Sequence, residues 1–183
     1  TMSRLYLIPT PLGDNDPREV LPAAVFDVIR ELKTYVVEET RTARRFLSSA
    51  GLKGSISELE FHELNEHTSP EEVEMLGKLF DKGDVGLMTE AGLPAVADPG
   101  SRLVASCHRR GIEVVPLSGP SSLMMALMSS GLEGQRFSFL GYLPAKTLPD
   151  AFIRTLGPGE WKSMIDKGFR IGKRPCVFLI SAR

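Results

Sequence analysis

The chain is short of cysteine, of long apolar runs and of charge of one sign, and each shortage removes a class of protein. Its two cysteines, Cys107 and Cys176, form no Cys-x-x-Cys pair and no Cys/His cluster. A disulfide framework or a zinc knuckle has nothing to build on, and both thiols read as buried in a reducing compartment. No apolar run approaches the ~20 residues of a membrane span, so no membrane partner is expected. The opening Thr1–Ile8 lacks a signal-peptide layout and reads as a first strand, which makes the cytoplasm the expected location. Lysines and arginines number 22 against 23 acids, and the net charge of -1 gives no overall pull toward nucleic acid. Any such binding needs a local patch. The glycine spacings of a P-loop and of a dinucleotide fingerprint are absent, and Ser118-Gly-Pro-Ser121 is not a serine nucleophile elbow.

What is present is a strand–helix alternation over 183 residues, with ordinary apolar (42%) and charged (25%) content for a globular α/β protein. Apolar runs predict strands at Leu5–Ile8, Tyr35–Val37, Leu59–His62, Val85–Met88 and Ile112–Val115, with later ones at Phe137–Leu140 and Cys176–Ile180. Helical spacing from Val20 to Leu32 predicts one helix, and Thr42–Ala50 another. Ser69-Pro70-Glu71-Glu72 carries a capping hydroxyl, a first-turn proline and a glutamate three residues on, a strong helix start. Asp98-Pro99 repeats it, with Asp98 read as a cap, and His108-Arg109-Arg110 puts cations at that helix's negative end. Leu123–Met128, with Met124, Met125 and Met128, reads as a core helix. Gly51, Gly83, Gly111 and Gly131 each close a helix before an extended run. The rhythm predicts a largely parallel sheet covered by helices.

Three loops at predicted strand ends are candidates for chemistry: Pro9–Asp14, Met88–Gly100 and Pro116–Ser122. In an open α/β sheet ligands bind outside the carboxyl ends of the strands, so these loops are expected to converge on one cleft. The small, nearly uncharged surface between Glu90 and Asp98 suits an adenine ring with a polar tail. Glu90, directly after a buried strand, is either a cleft-mouth acid or a solvated one. Arg41, Arg44 and Arg45 are either a solvated helix face or a grip on a phosphodiester backbone. His62 and His67 have no metal-ligand spacing, whereas His62, Glu63 and Asn65 are open as cleft-lining residues.

Six ordered segments resemble the tetrapyrrole methylase-like superfamily: Leu5–Gly13, Glu38-Glu-Thr-Arg41, Phe61–Glu66, Glu90–Pro94, Ala97–Gly100 and Val115–Ser122, with Phe137–Pro144 continuing the match. Within it they are most similar to the bacterial branch that methylates the ribose 2'-oxygen of a cytidine in small-subunit ribosomal RNA. The resemblance implies a class III, two-lobed α/β methyltransferase fold. Its N-terminal lobe, 1–116, would hold the largely parallel sheet, and its C-terminal lobe, 117–183, a mixed sheet. It implies S-adenosylmethionine (SAM) as methyl donor in a cleft between lobes, a homodimer, and ribosomal RNA or the small subunit as partner. Carried over by motif, the cofactor contacts are Leu12, Gly92, Leu93, Val96, Ser121 and Ser122. Glu39 or Glu90 would take or orient the ribose proton while Arg41 holds the adjacent phosphate. No metal is expected.

The chain departs from the family after Gly141-Tyr-Leu-Pro144. A segment that relatives carry is missing between Lys146 and Thr147, including a basic stretch suited to RNA contact. It is either a natural deletion or an omitted piece. Omission is the expectation, because deletion would expose strand edges and core, and the intact protein would then exceed 20.1 kDa. Alternatives carried forward are a methyltransferase of the same superfamily acting on a tetrapyrrole or on a modified histidine of elongation factor, and a SAM-binding ribosome-associated protein without catalysis. A sugar-nucleotide or dinucleotide enzyme predicts glycine spacings the chain lacks.

Overall fold

Five four-residue strands, β1 (Arg4–Leu7), β2 (Thr34–Val37), β3 (Glu60–Glu63), β4 (Val85–Met88) and β5 (Glu113–Pro116), form one sheet in this computed structural model. All pairings are parallel, in the order β3-β2-β4-β1-β5. The structure describes residues 3–132, Gly134, Gln135, 137–139, Gly141 and Lys167. The chain divides into two compact units, Thr1–Ser121 and Ser122–Arg183, and the sheet lies in the first. Leu117 stays with that unit by donating its amide to the Leu7 carbonyl at 3.1 Å.

The helices follow the strands as the alternation predicts, with local differences. α1 (Pro17–Val20) and α2 (Ala23–Glu31) replace the single helix expected from Val20 to Leu32. The break is at Leu21, which is extended (φ -108°, ψ 141°) because the ring of Pro22 disfavours helical backbone in the residue before it. α3 (Thr40–Leu47) begins two residues before the predicted start and runs into a wider π turn, Ser48–Leu52, where Gly51 takes φ 112°. α4 (Pro70–Leu76) carries the predicted capping box: Ser69 Oγ accepts from the Glu72 amide at 3.2 Å, and Glu72 Oε2 accepts from the Ser69 amide at 2.7 Å. A 3₁₀ turn, Gly77–Asp81, completes it. α5 (Gly100–Arg110) ends on left-handed Gly111. The cations of its last turn do more than face the helix dipole, since Arg109 and Arg110 both reach Glu74 of α4.

Strand order and crossover sense place the cores. From β1 to β2 to β3 the chain moves one way along the sheet, and from β3 to β4 to β5 it moves back. Right-handed crossovers put the first set of helices on one face and the second on the other. Buried residues separate accordingly. Val25, Phe26, Ile29, Phe46 and Leu47 pack with Ile8, Tyr35, Val37 and Met88. Val73, Leu79, Phe80, Leu103 and Cys107 pack with Leu5, Val36, Val85 and Leu87. Gly86 is small because a Cβ there would meet Ile8 Cδ1 at 2.7 Å and Tyr35 Cδ1 at 2.9 Å.

In the second unit, α6 (Ser122–Ser130) ends before Gly131 at φ 70°, as predicted. The expected core helix is not one: none of its residues is buried, and Met128 is 82% exposed. A helix apolar on most sides needs cover on most sides, and a single described helix supplies none. The strand expected at Phe137–Leu140 is also absent over the described residues 137–139, which join no ladder, and Phe137 and Phe139 are exposed. Leu140, Cys176 and the strand Cys176–Ile180 lie outside the described residues.

Candidate functional site

The reversal of direction in the sheet makes a topological switch point between the carboxyl ends of β1 and β4, where open α/β sheets hold their ligands. The loops leaving these strands are tied together there. Thr10 donates to the Gly92 carbonyl at 3.0 Å, and Gly92 returns the bond to the Thr10 carbonyl at 3.1 Å. Thr10 is buried, and its Oγ1 adds a bond to the Thr89 carbonyl at 3.3 Å. In Pro9-Thr10-Pro11 only the threonine has an N–H, so the sequence leaves one donor for this bridge.

The loop after β5 joins the same place. Gly92 has φ 78°, and a Cβ on it would lie 3.1 Å from Leu12 Cδ2 and 3.4 Å from the Pro120 carbonyl oxygen. Gly119 lies so close to Pro9 that any side chain would collide with that ring, and it also faces Leu93 Cδ2. All three predicted loops therefore converge, with Gly92 at their meeting point. Leu12 and Val96 leave apolar side chains 38% and 46% exposed, Leu93 is half-buried, and Ser121 closes the first unit. Ser122 is the exposed first residue of α6 in the second unit.

Farther along the β4–α5 loop the backbone is held in a strained form. Ala95 and Ala97 have φ 64° and 56°, angles that non-glycine residues resist. The Asp98 carboxylate imposes this shape, accepting from the Ala95 amide at 2.9 Å and the Gly100 amide at 2.6 Å. The N-cap of α5 is thus Pro99, one residue after the expected cap, while Asp98 takes the Gly100 amide at the helix start and clamps the preceding loop as well. Burial pushes its carboxyl above the ordinary aspartate value, and the two amides offset only part of that. Arg102 braces the neighbouring loop, donating to the carbonyls of Asn65 and Thr68, each at 2.6 Å. Between these loops lies a cleft of about 350 Å³, lined by Glu38, Asn65, Glu66, His67, Ala97 and Asp98 among others.

The two glutamates after β2 have different duties. Glu38 Oε2 accepts from Thr89 Oγ1 at 2.8 Å and from the Glu90 amide at 3.3 Å, joining the ends of β2 and β4. Glu39 caps α3, taking the Arg41 amide at 2.9 Å, the Thr42 amide at 2.7 Å and Thr42 Oγ1 at 2.6 Å. The Thr42 hydroxyl first, then these amides, hold its carboxyl below the ordinary value. Glu63 takes the remaining first-turn donor, accepting from the Thr40 amide at 3.0 Å and from its hydroxyl at 2.8 Å. Glutamate is not a preferred N-cap residue, which is why the sequence pattern does not announce Glu39 in that role. Glu90 is exposed, and its carboxylate has no hydrogen-bond or ion-pair partner among the described residues. Arg41 is exposed on α3, four residues beyond the buried end of β2. Of the residues left open as cleft lining, Asn65 is in the cleft, Glu63 caps α3, and His62 Nε2 pairs with Glu60 Oε1 at 2.9 Å. Sequence reasoning missed Glu38, Thr10 and Thr89, whose roles depend on which strands become neighbours.

No family model matches the chain. The curated proteins it is similar to include several named ribosomal RNA small subunit methyltransferase I. The one from Vibrio cholerae is 32% identical over 95% of this chain and 54% of its own length. The one from Synechocystis is 36% identical, over 81% and 50%. The one from Escherichia coli O157:H7 is 33% identical, over 80% and 49%. The chain thus spans about half the length of the curated relatives it matches. Over the segment it shares with them, the chain is similar to these methyltransferases, in line with the resemblance read from its sequence.

Proposed function

We propose that the protein is a SAM-dependent methyltransferase acting on a ribose 2'-oxygen of small-subunit ribosomal RNA. The observation that carries this is the convergence of three loops at Gly92, on the switch point of the sheet, in a chain similar to those methyltransferases. The loops fit a nucleoside-like cofactor. Gly92 keeps the backbone bare where a Cβ would fill the space between Leu12 and Pro120, and the exposed faces of Leu12 and Val96 suit an adenine ring. Leu12, Gly92, Leu93, Val96 and Ser121 are the proposed contacts, with Ser122 added on resemblance alone. In the same proposal the chain is part of a two-lobed protein, lobes 1–116 and 117–183, with a mixed C-terminal sheet. The whole works as a cytoplasmic homodimer, and the 146/147 junction marks an omitted segment.

Bound SAM supplies a methyl group already activated by its positive sulfur. The protein's own task is then to position the acceptor oxygen and exclude water. A ribose hydroxyl is a weak nucleophile, so a carboxylate that takes or orients its proton assists. Glu39 is poorly suited, since its oxygens already accept three hydrogen bonds and its basicity is lowered. Glu90 is the better candidate: its side chain is unengaged among the described residues, and its backbone is fixed by Glu38. Arg41 is assigned to the neighbouring phosphate.

Mapping ribose methylation in small-subunit RNA treated with SAM, with and without the protein, tests the proposal. A protein-dependent 2'-O-methyl at one nucleotide is expected. SAM binding by calorimetry with no transfer to any RNA would overturn it in favour of a non-catalytic SAM-binding protein.

A further inference from the structure

Cations in the first unit are divided by partner. Six of the described lysines and arginines pair with carboxylates, and Arg102 donates to two carbonyls. Six more have no carboxylate of the described residues within ion-pair distance: Arg18, Arg41, Arg44, Arg45, Lys53 and Lys78. All of these but Lys78 belong to α1, α3 or the π turn's end. Arg41, Arg44 and Arg45 lie at helical spacing on the exposed side of α3, opposite buried Ala43, Phe46 and Leu47. Lys53 follows the π turn directly. Arg18 of α1 comes back to that turn, its guanidinium 3.6 Å from where a Cβ on Gly51 would stand.

The acids around this group are mostly occupied elsewhere. Glu39 and Glu63 serve the first turn of α3, Asp16 accepts the Arg18 amide, and Glu58 pairs with Lys33. Asp14 and Glu19, near Arg18 in sequence, are exposed acids. The Arg44 guanidinium carbon lies over the Phe61 ring, 6.0 Å from its centroid. The row begins at Arg41, three residues from Glu38, whose carboxylate touches Thr89 and Glu90 at the site. A near-neutral protein with five cations in one strip that pair with no carboxylate among the described residues has a local patch for polyanions.

We infer that the exposed side of α3, extended by Lys53 and Arg18, is a phosphodiester track that leads ribosomal RNA to the carboxyl end of the sheet, an inference that rests on the RNA acceptor proposed above. The guanidinium groups suit phosphate oxygens, which they bind two bonds at a time. The strip carries no base-reading geometry, so it supplies affinity and direction, and selection of the nucleotide falls to the site.

The test combines Arg18→Ala, Arg44→Ala, Arg45→Ala and Lys53→Ala in one variant, with Arg41 kept for its separate assignment. Filter binding to transcribed small-subunit ribosomal RNA is measured across potassium chloride concentrations. Affinity is expected to fall about a hundredfold near physiological salt, with the log–log salt slope shallower by roughly 0.7 for each cation removed. Calorimetric SAM affinity stays at the wild-type value, and Lys78→Ala changes neither quantity. If thermal melting shows that the fourfold variant does not fold, Arg44→Gln with Arg45→Gln gives the same reading at about half the slope change. Wild-type affinity and slope in a folded variant, while the parent still binds RNA, overturn this inference alone. A parent protein that binds no RNA overturns it together with the proposed function.

Discussion

Thr10 and Gly92 exchange both backbone hydrogen bonds, at 3.0 and 3.1 Å, across the point where the chain's path through the sheet reverses. This pair fastens the loop after β1 to the loop after β4 and sets the floor on which the loop after β5 rests. Its two members are unequal in what they tolerate. Thr10 takes part through its backbone, whereas Gly92 also depends on having no side chain.

Gly92→Ala is therefore expected to weaken SAM binding at least tenfold. The left-handed backbone alone costs an alanine about 1 kcal/mol, and its Cβ presses on Leu12 at 3.1 Å. Thr10→Ala keeps the bridge and loses one hydroxyl bond, about 1 kcal/mol of stability. Calorimetry with SAM on both variants checks the contrast, and equal affinities would contradict it.

Gly86→Val tests the core in place of the site. The added side chain would enter the space of Ile8, Tyr35 and Leu32, and overpacking of this kind costs about 1–3 kcal/mol. The urea midpoint is expected to fall with the slope unchanged. An unaltered midpoint would mean that the Ile8 and Leu32 side chains give way freely.

Glu39 and Glu90 separate capping from catalysis. The Glu39 carboxyl titrates below its ordinary 4.5, so its stabilising effect is present above that value and is lost as pH falls through the lower folded-state value. Glu39→Gln should flatten the acid limb of stability while retaining methyl transfer. Glu90→Gln should leave that limb alone and reduce turnover. Near wild-type turnover by both variants would sink the carboxylate-base idea.

Cys107 is buried in the core under α5, and burial pushes its thiol up to about 11. Iodoacetamide at pH 8 should leave it unmodified in the native protein and label it once urea passes the unfolding midpoint. Peptide-resolved mass spectrometry distinguishes it from Cys176. Rapid native labelling would contradict its burial.

Local signals in the sequence determined most of the elements. Ser69-Pro70 with Glu72, the β4 run Val85–Met88 and the closing glycines Gly111 and Gly131 act within a few residues, and each stands where it was expected. The three converging loops were legible too, because a strand-end corner rich in glycine and proline is itself a local pattern. Local competition misled in one place, where the helical spacing across Leu21 hid the veto of Pro22.

Only the tertiary structure decided which strands are neighbours, and with that which loops touch. The order β3-β2-β4-β1-β5 brings Thr10 to Gly92 and Glu38 to Thr89, pairs separated by long stretches of chain with no mark in sequence to match them. It also settled the duties of the paired glutamates: Glu38 ends a central strand and reaches its neighbour, while Glu39 turns back to the donors of α3. Residue type and spacing made the corner of strand-end loops legible because they act along the chain. Its closure at Thr10 and Gly92 belongs to the fold, because hydrogen bonds between loops exist only once the sheet has brought their strands side by side.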